Sequence, residues 1–366
     1  MKIMVDSTAL LLRSAGVKGV LYHWIQAMRE LPGGHEIVTY PPMRTIGALD
    51  HQRSVASAWA TWKGLAMTIA NQRLGVPFPQ WHARGVDIFH CSNQVRVPPR
   101  NCLLTATIHD LTCAKMPELH TAGNVAADAR YAESVLLRAD RLIAVSENTR
   151  RDAVEQLGIA PDRIAVIPNG VAEEYFTVAP APAQRPYVLS VGTIEPRKNI
   201  DRLLDAWLGL PPAIREAYDL VIAGPLGWAA ETTAARLQTA PAGIRWLGYV
   251  AEKDLPALTR GAALLAYPSL YEGFGLPLAQ AMAAGVASVT SNASSLPEVA
   301  AGSARLVDPL SVLEIRAALA ALLDDPDERA RLGEAGRSHA LAHYRWPLVA
   351  QRSLAFFNLT AGILGS

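Results

Sequence analysis

Tyr267-Pro-Ser-Leu-Tyr-Glu272-Gly273-Phe274-Gly275-Leu276-Pro277-Leu-Ala-Gln280-Ala-Met-Ala-Ala-Gly285 follows an apolar run, 264–267, of strand length. The stretch reads as a strand end, a glycine loop and a helix. Pro277 suits a first helical turn, where its missing N–H would have no partner anyway, and Gly285 suits the helix end. The backbone N–H groups of Phe274, Gly275 and Leu276 would then stand unpaired at a helix start, an arrangement that cradles phosphate. Gly273 and Gly275 would let a ligand approach the backbone closely. Glu272 stands just ahead of the helix, placed to accept hydrogen bonds from sugar hydroxyls. Gln280 is read on the first turn, on the ligand side. The same residues also fit a capped helix behind a tight turn with a solvent-facing glutamate, and alone they do not separate the two readings.

Working outward, strand-length apolar runs alternate with helical patterns along the whole chain. Strands are expected at 2–5, 37–40, 87–90, 103–108, 142–145 and 165–167, then at 187–191, 220–223, 244–247, 264–267 and 286–290. Helical patterning covers 126–137 and 149–156, and Ile200, Leu203, Leu204 and Trp207 recur at helical spacing. This alternation predicts an α/β protein with parallel sheets covered by helices on both faces. Pro180, Pro182 and Pro186 mark a stiff linker. The expected layout is therefore two Rossmann-like domains, 1–180 and 181–345, with a last helix in 346–366 crossing back to the first. Ligands of such sheets bind beyond the carboxyl ends of the strands, so two domains facing each other would form a cleft.

Composition agrees with two domains of ordinary size in a 366-residue chain. Half the residues are hydrophobic, and 34 Lys and Arg against 33 Asp and Glu leave a net charge of +1. No basic footprint for nucleic acid follows from that balance. Cys91, Cys102 and Cys113 are widely spaced and odd in number, which argues against a disulfide framework or a zinc site. Asp6 interrupts the N-terminus where a signal peptide needs an apolar run, and no run is long enough to span a membrane. A cytoplasmic protein is expected.

Three other loops carry polar groups at strand ends. Ser190-Val-Gly192-Thr-Ile-Glu195-Pro-Arg197-Lys198-Asn199 places two adjacent cations after a strand. Arg197 could fork onto two diphosphate oxygens and Lys198 act as a point charge, although a solvated surface pair is the commoner fate of such a dipeptide. Thr107-Ile-His109-Asp110 ends another strand, where His109 reads either as a contact to a sugar or acceptor hydroxyl or as a structural histidine. Ala15-Gly16-Val-Lys18-Gly19-Val20 reads as the first strand–helix loop.

Taken together, and in this order, these pieces resemble retaining glycosyltransferase family 4 (glycosyl transferases group 1), whose fold is called GT-B. The resemblance also runs through Ala144-Val-Ser-Glu-Asn-Thr-Arg150, Val166-Ile-Pro-Asn-Gly-Val171, Leu247-Gly248-Tyr249-Val250 and Ser294-Ser-Leu-Pro-Glu-Val299. It implies a nucleotide-sugar donor. Arg197 and Lys198 would stabilise its leaving diphosphate, Glu272 would lie at the donor sugar, and His109 near the sugar's reactive side. Gly16 and Gly19 would let the donor phosphate and acceptor sit close. Gly192, Gly273, Phe274, Gly275 and Leu276 would belong to the nucleotide-sugar site, with Gly248, Tyr249 and Val250 at the nucleobase. One departure stands out. The family's second glutamate, which binds the ribose, falls on Gln280, which implies weaker or altered ribose binding.

The resemblance implies a hexosyltransferase working with retention and without a metal or other cofactor. GDP-mannose and UDP-glucose are both plausible donors, and a glycan or lipid-linked saccharide of cell-surface polysaccharide synthesis is the expected acceptor. A non-catalytic nucleotide-sugar-binding homologue, or a partner subunit, is the alternative that Gln280 supports, and a nucleotide-sugar 2-epimerase sharing the fold is another. Residues 51–84 hold Arg53, Lys63, Arg73 and Arg84 with Trp59, Trp62 and Trp81 and no acidic residue. That stretch reads as a peripheral contact with the inner face of a membrane, or as an ordinary amphipathic helix with basic solvent residues.

Overall fold

The computed structural model describes residues 1–14, 16–43 and 45–362. Its contacts divide the chain into two units, one made of Met1–Gly170 together with the chain from Trp346 onward, the other of Val171–Arg345. Each unit holds one six-stranded sheet in which every pairing is parallel. In the first, β1 (Lys2–Asp6), β2 (Glu36–Tyr40), β3 (Ile88–Cys91), β4 (Leu103–Ile108), β5 (Arg141–Ala144) and β6 (Ile164–Val166) lie in the order β2-β1-β3-β4-β5-β6. In the second, β7 (Tyr187–Val191), β8 (Asp219–Ala223), β9 (Ile244–Trp246), β10 (Leu264–Tyr267), β11 (Ser288–Ser291) and β12 (Arg305–Val307) lie in the order β12-β11-β10-β7-β8-β9. β12 has no counterpart in the sequence reading. It is an edge strand of three residues, two of them exposed, so no apolar run announces it.

Parallel strands joined by crossover helices are covered on both faces, which is why a central strand such as β10 is apolar without interruption. Successive side chains of β1 divide between two cores. Ile3 and Val5 pack with Trp24, Ile25 and Met28 of the helix Gly16–Glu30 and with Phe357 of the helix Trp346–Gly362. Met4 enters the opposite core with Phe89, Leu104 and Leu142. In the second unit, Val188 packs with Leu203, Leu204 and Trp207 of the helix Ile200–Leu208, while Leu189 turns to Val221 and Ala223 on the other face. The spacing of Ile200, Leu203, Leu204 and Trp207 is thus the inner stripe of one helix. Truncating the fully buried Trp207 to alanine would cost on the order of 3–5 kcal/mol.

The units meet in sequence at Gly170/Val171, not at the proline-rich stretch. Tyr175 and Phe176 are buried, the guanidinium of Arg337 donates to the Phe176 carbonyl at 2.7 Å, and the Ala181 N–H donates to the Ala257 carbonyl at 2.9 Å. Residues 171–186 are therefore laced onto the second unit. Prolines make such a segment extended, but hydrogen bonds and burial decide where it belongs. The chain returns at Arg345/Trp346. There Val171 donates to the Tyr344 carbonyl at 2.7 Å and bridges Arg345, whose guanidinium pairs with Glu173 at 3.1 Å.

The last helix, Trp346–Gly362, belongs to the first unit. Trp24 Nε1 donates to Ser353 Oγ at 2.9 Å, tying it to the helix Gly16–Glu30. Its first residue sits so tightly on the backbone that a Cβ at Gly170 would lie 2.3 Å from the Trp346 ring. The helix was expected to reach about residue 364; residues 363–366 lie outside the described ones.

Candidate active site

The order of the second sheet reverses between β7 and β10. From β7 the chain proceeds outward through β8 and β9, and from β10 through β11 and β12 in the opposite direction. At such a point the loops leaving the two central strands diverge and open a crevice at the carboxyl ends of the sheet. The loop after β7 carries Arg197 and Lys198 in a short turn, Pro196–Lys198, and the loop after β10 carries Glu272. Asn199 closes the first loop in the left-handed conformation, φ 60°, which Asn tolerates better than most residues. Its side-chain amide donates to the carbonyls of Pro268 at 2.9 Å and Pro309 at 2.7 Å, locking the β7 loop onto the β10 loop.

That lock brings together residues more than 70 positions apart. Glu272 Oε1 accepts from Lys198 Nζ and from the Tyr267 hydroxyl, both at 2.6 Å, and Oε2 accepts from Arg197 at 2.6 Å. Arg197 also donates to Glu195 Oε1 at 2.7 Å and to the Tyr271 carbonyl at 2.8 Å, and Lys198 donates to the Tyr267 hydroxyl at 2.8 Å. The Glu272 backbone is held by Ser294 and Ser295, whose hydroxyls accept from its N–H at 3.0 Å and donate to its carbonyl at 2.9 Å. Burial alone would raise the Glu272 pKa, but the charges of Arg197 and Lys198 outweigh it and hold the carboxyl at about 2. Burial also lowers the Lys198 pKa, with Glu272 opposing. The side chains of Arg197 and Lys198 are 14% and 12% exposed, sheltered yet reachable. From sequence, the cations and Glu272 were separate contacts to a donor. In the structure they are one another's partners, and with Glu195 the four charges sum to zero.

Glycines make this packing sterically feasible. Gly192, at φ +146°, faces the Lys198 stem, and a Cβ there would lie 3.3 Å from Cε. Gly224 at the end of β8 approaches so closely that its Cβ would lie 1.8 Å from the Gly192 carbonyl oxygen. Gly275, at φ +91°, caps the helix Leu276–Ala283, and its missing Cβ makes room for Leu296. In the first turn of that helix Pro277 has no N–H, and the Leu278 and Ala279 N–H groups both donate to the Gly275 carbonyl, at 3.0 and 3.2 Å. Gly273 and Phe274 are buried in the loop, and the Phe274 ring meets Tyr344 edge-on at 5.4 Å. Gln280 is the fifth residue of the helix, just past the first turn on which it was expected, and is half-buried. In the loop after β9, the Gly248 carbonyl accepts from Gly224 at 2.7 Å, Val250 packs against the core around Leu189, and Tyr249 is 36% exposed.

In the first unit, His109 follows β4 and lines a cavity of about 30 Å3 with Trp24, Thr107, Asn169 and Trp346. Its Nε2 lies 3.3 Å from Ser92 Oγ. Burial lowers its pKa to about 4 despite the nearby Asp110, so near neutrality it is an uncharged hydrogen-bonding group. Asp110 Oδ1 accepts from the Thr112 N–H and hydroxyl at 3.0 and 2.9 Å, a local turn. Beneath lies the wholly buried His90, held between the hydroxyls of Thr105 and Thr107, each at 2.9 Å.

Gly16 and Gly19 are not in a loop. They occupy the first turns of the helix Gly16–Glu30, and Ala15 lies outside the described residues. A Cβ at Gly16 would meet open space, while one at Gly19 would touch the His51 ring at 3.4 Å. Between them Lys18 is fully buried, donating to the carbonyls of Leu12 at 2.7 Å and Arg53 at 2.5 Å.

Sequence reasoning assigned no role to Tyr267, Glu195 or Ser294. The only available signal was position, since Tyr267 ends a strand and Glu195 stands two residues before Arg197. The chain's one Asp-x-Asp, Asp325-Pro326-Asp327, starts a helix, where Asp325 Oδ1 accepts from the Glu328 N–H at 2.9 Å.

Residues 16–175 match the family described as Glycosyltransferase Family 4, and residues 171–339 that described as Glycosyl transferases group 1. O-antigen chain mannosyltransferase B of Escherichia coli is 34% identical over 254 residues, 66% of each chain. The serotype-specific mannosyltransferase WbdA of Escherichia coli is 32% identical over 240 residues, 60% of this chain and 29% of that protein. The chain thus spans about two thirds of the first relative's length and under a third of the second's. Among solved structures, sucrose-phosphate synthase from Thermosynechococcus elongatus superposes with a TM-score of 0.73 over 99% of both chains at 18% identity, a likeness of fold. With both halves matched in sequence and both sheets in architecture, the chain belongs to glycosyltransferase family 4, the glycosyl transferases group 1, with a GT-B fold.

Proposed function

We propose that this chain transfers a hexose, most simply mannose, from a nucleotide-diphosphate sugar to a saccharide acceptor, free or lipid-linked, in the synthesis of a cell-surface polysaccharide. The transfer retains the anomeric configuration and needs no metal. The observation that carries this reading is the cluster of Arg197, Lys198, Glu272 and Tyr267 at the β7–β10 switch point. As the glycosidic C–O bond to the diphosphate breaks, negative charge builds on the departing phosphate oxygens. A forked guanidinium and an ammonium, both sheltered from water, stabilise that charge more than they stabilise the ground state. Glu272 keeps both cations aimed while the site is empty and offers carboxylate oxygens to sugar hydroxyls when the diphosphate competes for its partners.

Retention follows from attack on the face the diphosphate leaves. The acceptor hydroxyl oxygen bonds to the anomeric carbon as the diphosphate departs, and its proton passes to a departing phosphate oxygen. His109, uncharged at neutral pH, is assigned to a hydroxyl contact rather than to charge stabilisation. Mannose rests on the names of the two relatives, both mannosyltransferases, and the O-antigen name of one supports a surface polysaccharide as product.

The test is transfer from GDP-mannose, UDP-glucose and related donors to mannose-terminated oligosaccharides in the presence of EDTA, with the anomer of the new linkage read by NMR. An α-linked product from an α-linked donor is expected. A β-linked product would sink the retaining mechanism, and activity abolished by EDTA and restored by a divalent cation would sink metal independence.

A further inference from the structure

The helix Ala58–Leu74 packs a side of small and polar residues inward and turns its bulkiest apolar side chains to water. Its inner stripe is Gly64, Met67, Thr68 and Asn71, all buried. A Cβ at Gly64 would meet Leu11 at 2.5 Å, Thr68 Oγ1 approaches Thr8 Oγ1 at 3.5 Å, and the Asn71 amide donates to the carbonyls of Val76 and Val97 at 3.1 and 3.0 Å. The opposite stripe, positions 59, 62, 66, 69 and 73, recurs at helical spacing and faces water. It consists of Trp59, Trp62, Ala66, Ile69 and Arg73, with Trp59, Trp62 and Ile69 68, 71 and 54% exposed. Leu74 ends the helix 77% exposed, and Trp81 on the following helix, Phe78–His82, is 51% exposed. A helix that exposes two tryptophans and an isoleucine on one side is not the ordinary amphipathic surface helix, and that side calls for a partner.

Charge indicates which partner. Lys63 Nζ stands 5.2 Å from the Trp59 ring centroid, Arg53, Arg73 and Arg84 are also exposed, and no carboxylate occurs between Asp50 and Asp87. We infer that the outer stripe of the helix Ala58–Leu74 docks on an anionic lipid bilayer, with Trp59, Trp62 and Ile69 entering the headgroup boundary and Lys63 and Arg73 at the lipid phosphates. Tryptophan suits that boundary because its ring is apolar and its N–H polar, and cations beside it gain from the negative surface potential. A second copy of the chain fits less well. A two-fold contact would set this basic stretch against its own copy, with no carboxylate on the stretch to pair Lys63 or Arg73.

The experiment is co-sedimentation of the full chain with vesicles of phosphatidylcholine, with and without phosphatidylglycerol, together with tryptophan fluorescence. The chain should bind the phosphatidylglycerol vesicles with a blue shift and bind the neutral ones far more weakly. Trp59→Ser with Trp62→Ser should weaken binding roughly tenfold or more, through lost apolar burial. Lys63→Gln with Arg73→Gln should weaken it about twenty-fivefold at low salt, about fivefold per cation, and the difference should shrink as salt rises. All four side chains are exposed, so thermal melts of both variants should match the parent. No binding of the parent to either vesicle overturns the inference. So does a concentration-dependent dimer that the tryptophan variant abolishes while vesicle binding is absent. No sugar enters these measurements, so failure here leaves the transfer chemistry standing. Conversely, both variants should retain parental turnover on a water-soluble acceptor.

Discussion

Lys198→Met removes one charge from the cluster and keeps the stem that lies against Gly192. The four charges of Arg197, Lys198, Glu195 and Glu272 sum to zero, so the variant leaves a net negative site facing an anionic leaving group. A unit charge about 5 Å from the departing phosphate, at an effective dielectric constant of about 20, is worth about 3 kcal/mol. That corresponds to roughly 10²-fold in kcat. Folding should suffer less, by about 1–3 kcal/mol, because Glu272 keeps Arg197 on one oxygen and the Tyr267 hydroxyl on the other. A second readout follows from the carboxyl pKa of about 2. A depressed carboxyl stabilises the fold above its unfolded pKa, near 4.5, and loses that contribution as pH falls toward 2. With Lys198 gone the depression shrinks, so the variant should lose less stability over that window. The assays are kcat and KM for the donor at saturating acceptor, with urea unfolding at several pH values. A folded variant turning over within about threefold of the parent would refute the leaving-group role, since it falls far short of the roughly 10²-fold loss.

Gly170→Ala should destabilise by about 2 kcal/mol or more, because the new methyl would lie 2.3 Å from the Trp346 ring, so backbone or indole must shift; parental stability in calorimetry would contradict that packing. Gln280→Glu should tighten nucleotide binding about tenfold if the side chain meets the ribose, since a charged acceptor replaces a neutral one; unchanged affinity in calorimetric titration would place Gln280 elsewhere. His90 is fully buried and neutral, with burial and then His109 lowering its pKa to about 3. It therefore stabilises the fold fully above pH 6.5 and loses up to about 5 kcal/mol of that as pH falls from 6.5 to 3. His90→Leu should lower stability at pH 7, by stranding the Thr105 and Thr107 hydroxyls, yet flatten the acid slope; an unchanged slope would assign acid sensitivity to other groups.

Sequence alone determined the features set by short-range physics. Alternating apolar runs predicted eleven of the twelve strands among the described residues, because a strand buried in a parallel sheet leaves a short apolar run in the sequence. Pro277 marked a helix start, because a first-turn residue needs no N–H partner. The cations at 197 and 198 were legible because they follow a strand end.

What only the tertiary structure decided lies in pairings across long stretches of chain. Glu272 meets Lys198 and Arg197 because the sheet places β10 beside β7, and neither loop names its partner. Tyr267 joins them because a strand's last residue can point into the crevice or away from it, and local pattern does not choose. Gly16 and Gly19 proved helical, and between them Lys18 is buried against the carbonyls of Leu12 and Arg53, a contact spanning up to 35 residues that the local pattern did not announce. The proline stretch looked like a boundary because prolines stiffen a chain, yet Tyr175, Phe176 and Ala181 fasten it to the second unit. The aromatic residues of 58–74 could have faced either way. Which stripe is buried was settled by the neighbours that Gly64, Thr68 and Asn71 found, since hydrophobicity alone would have turned the tryptophan side inward.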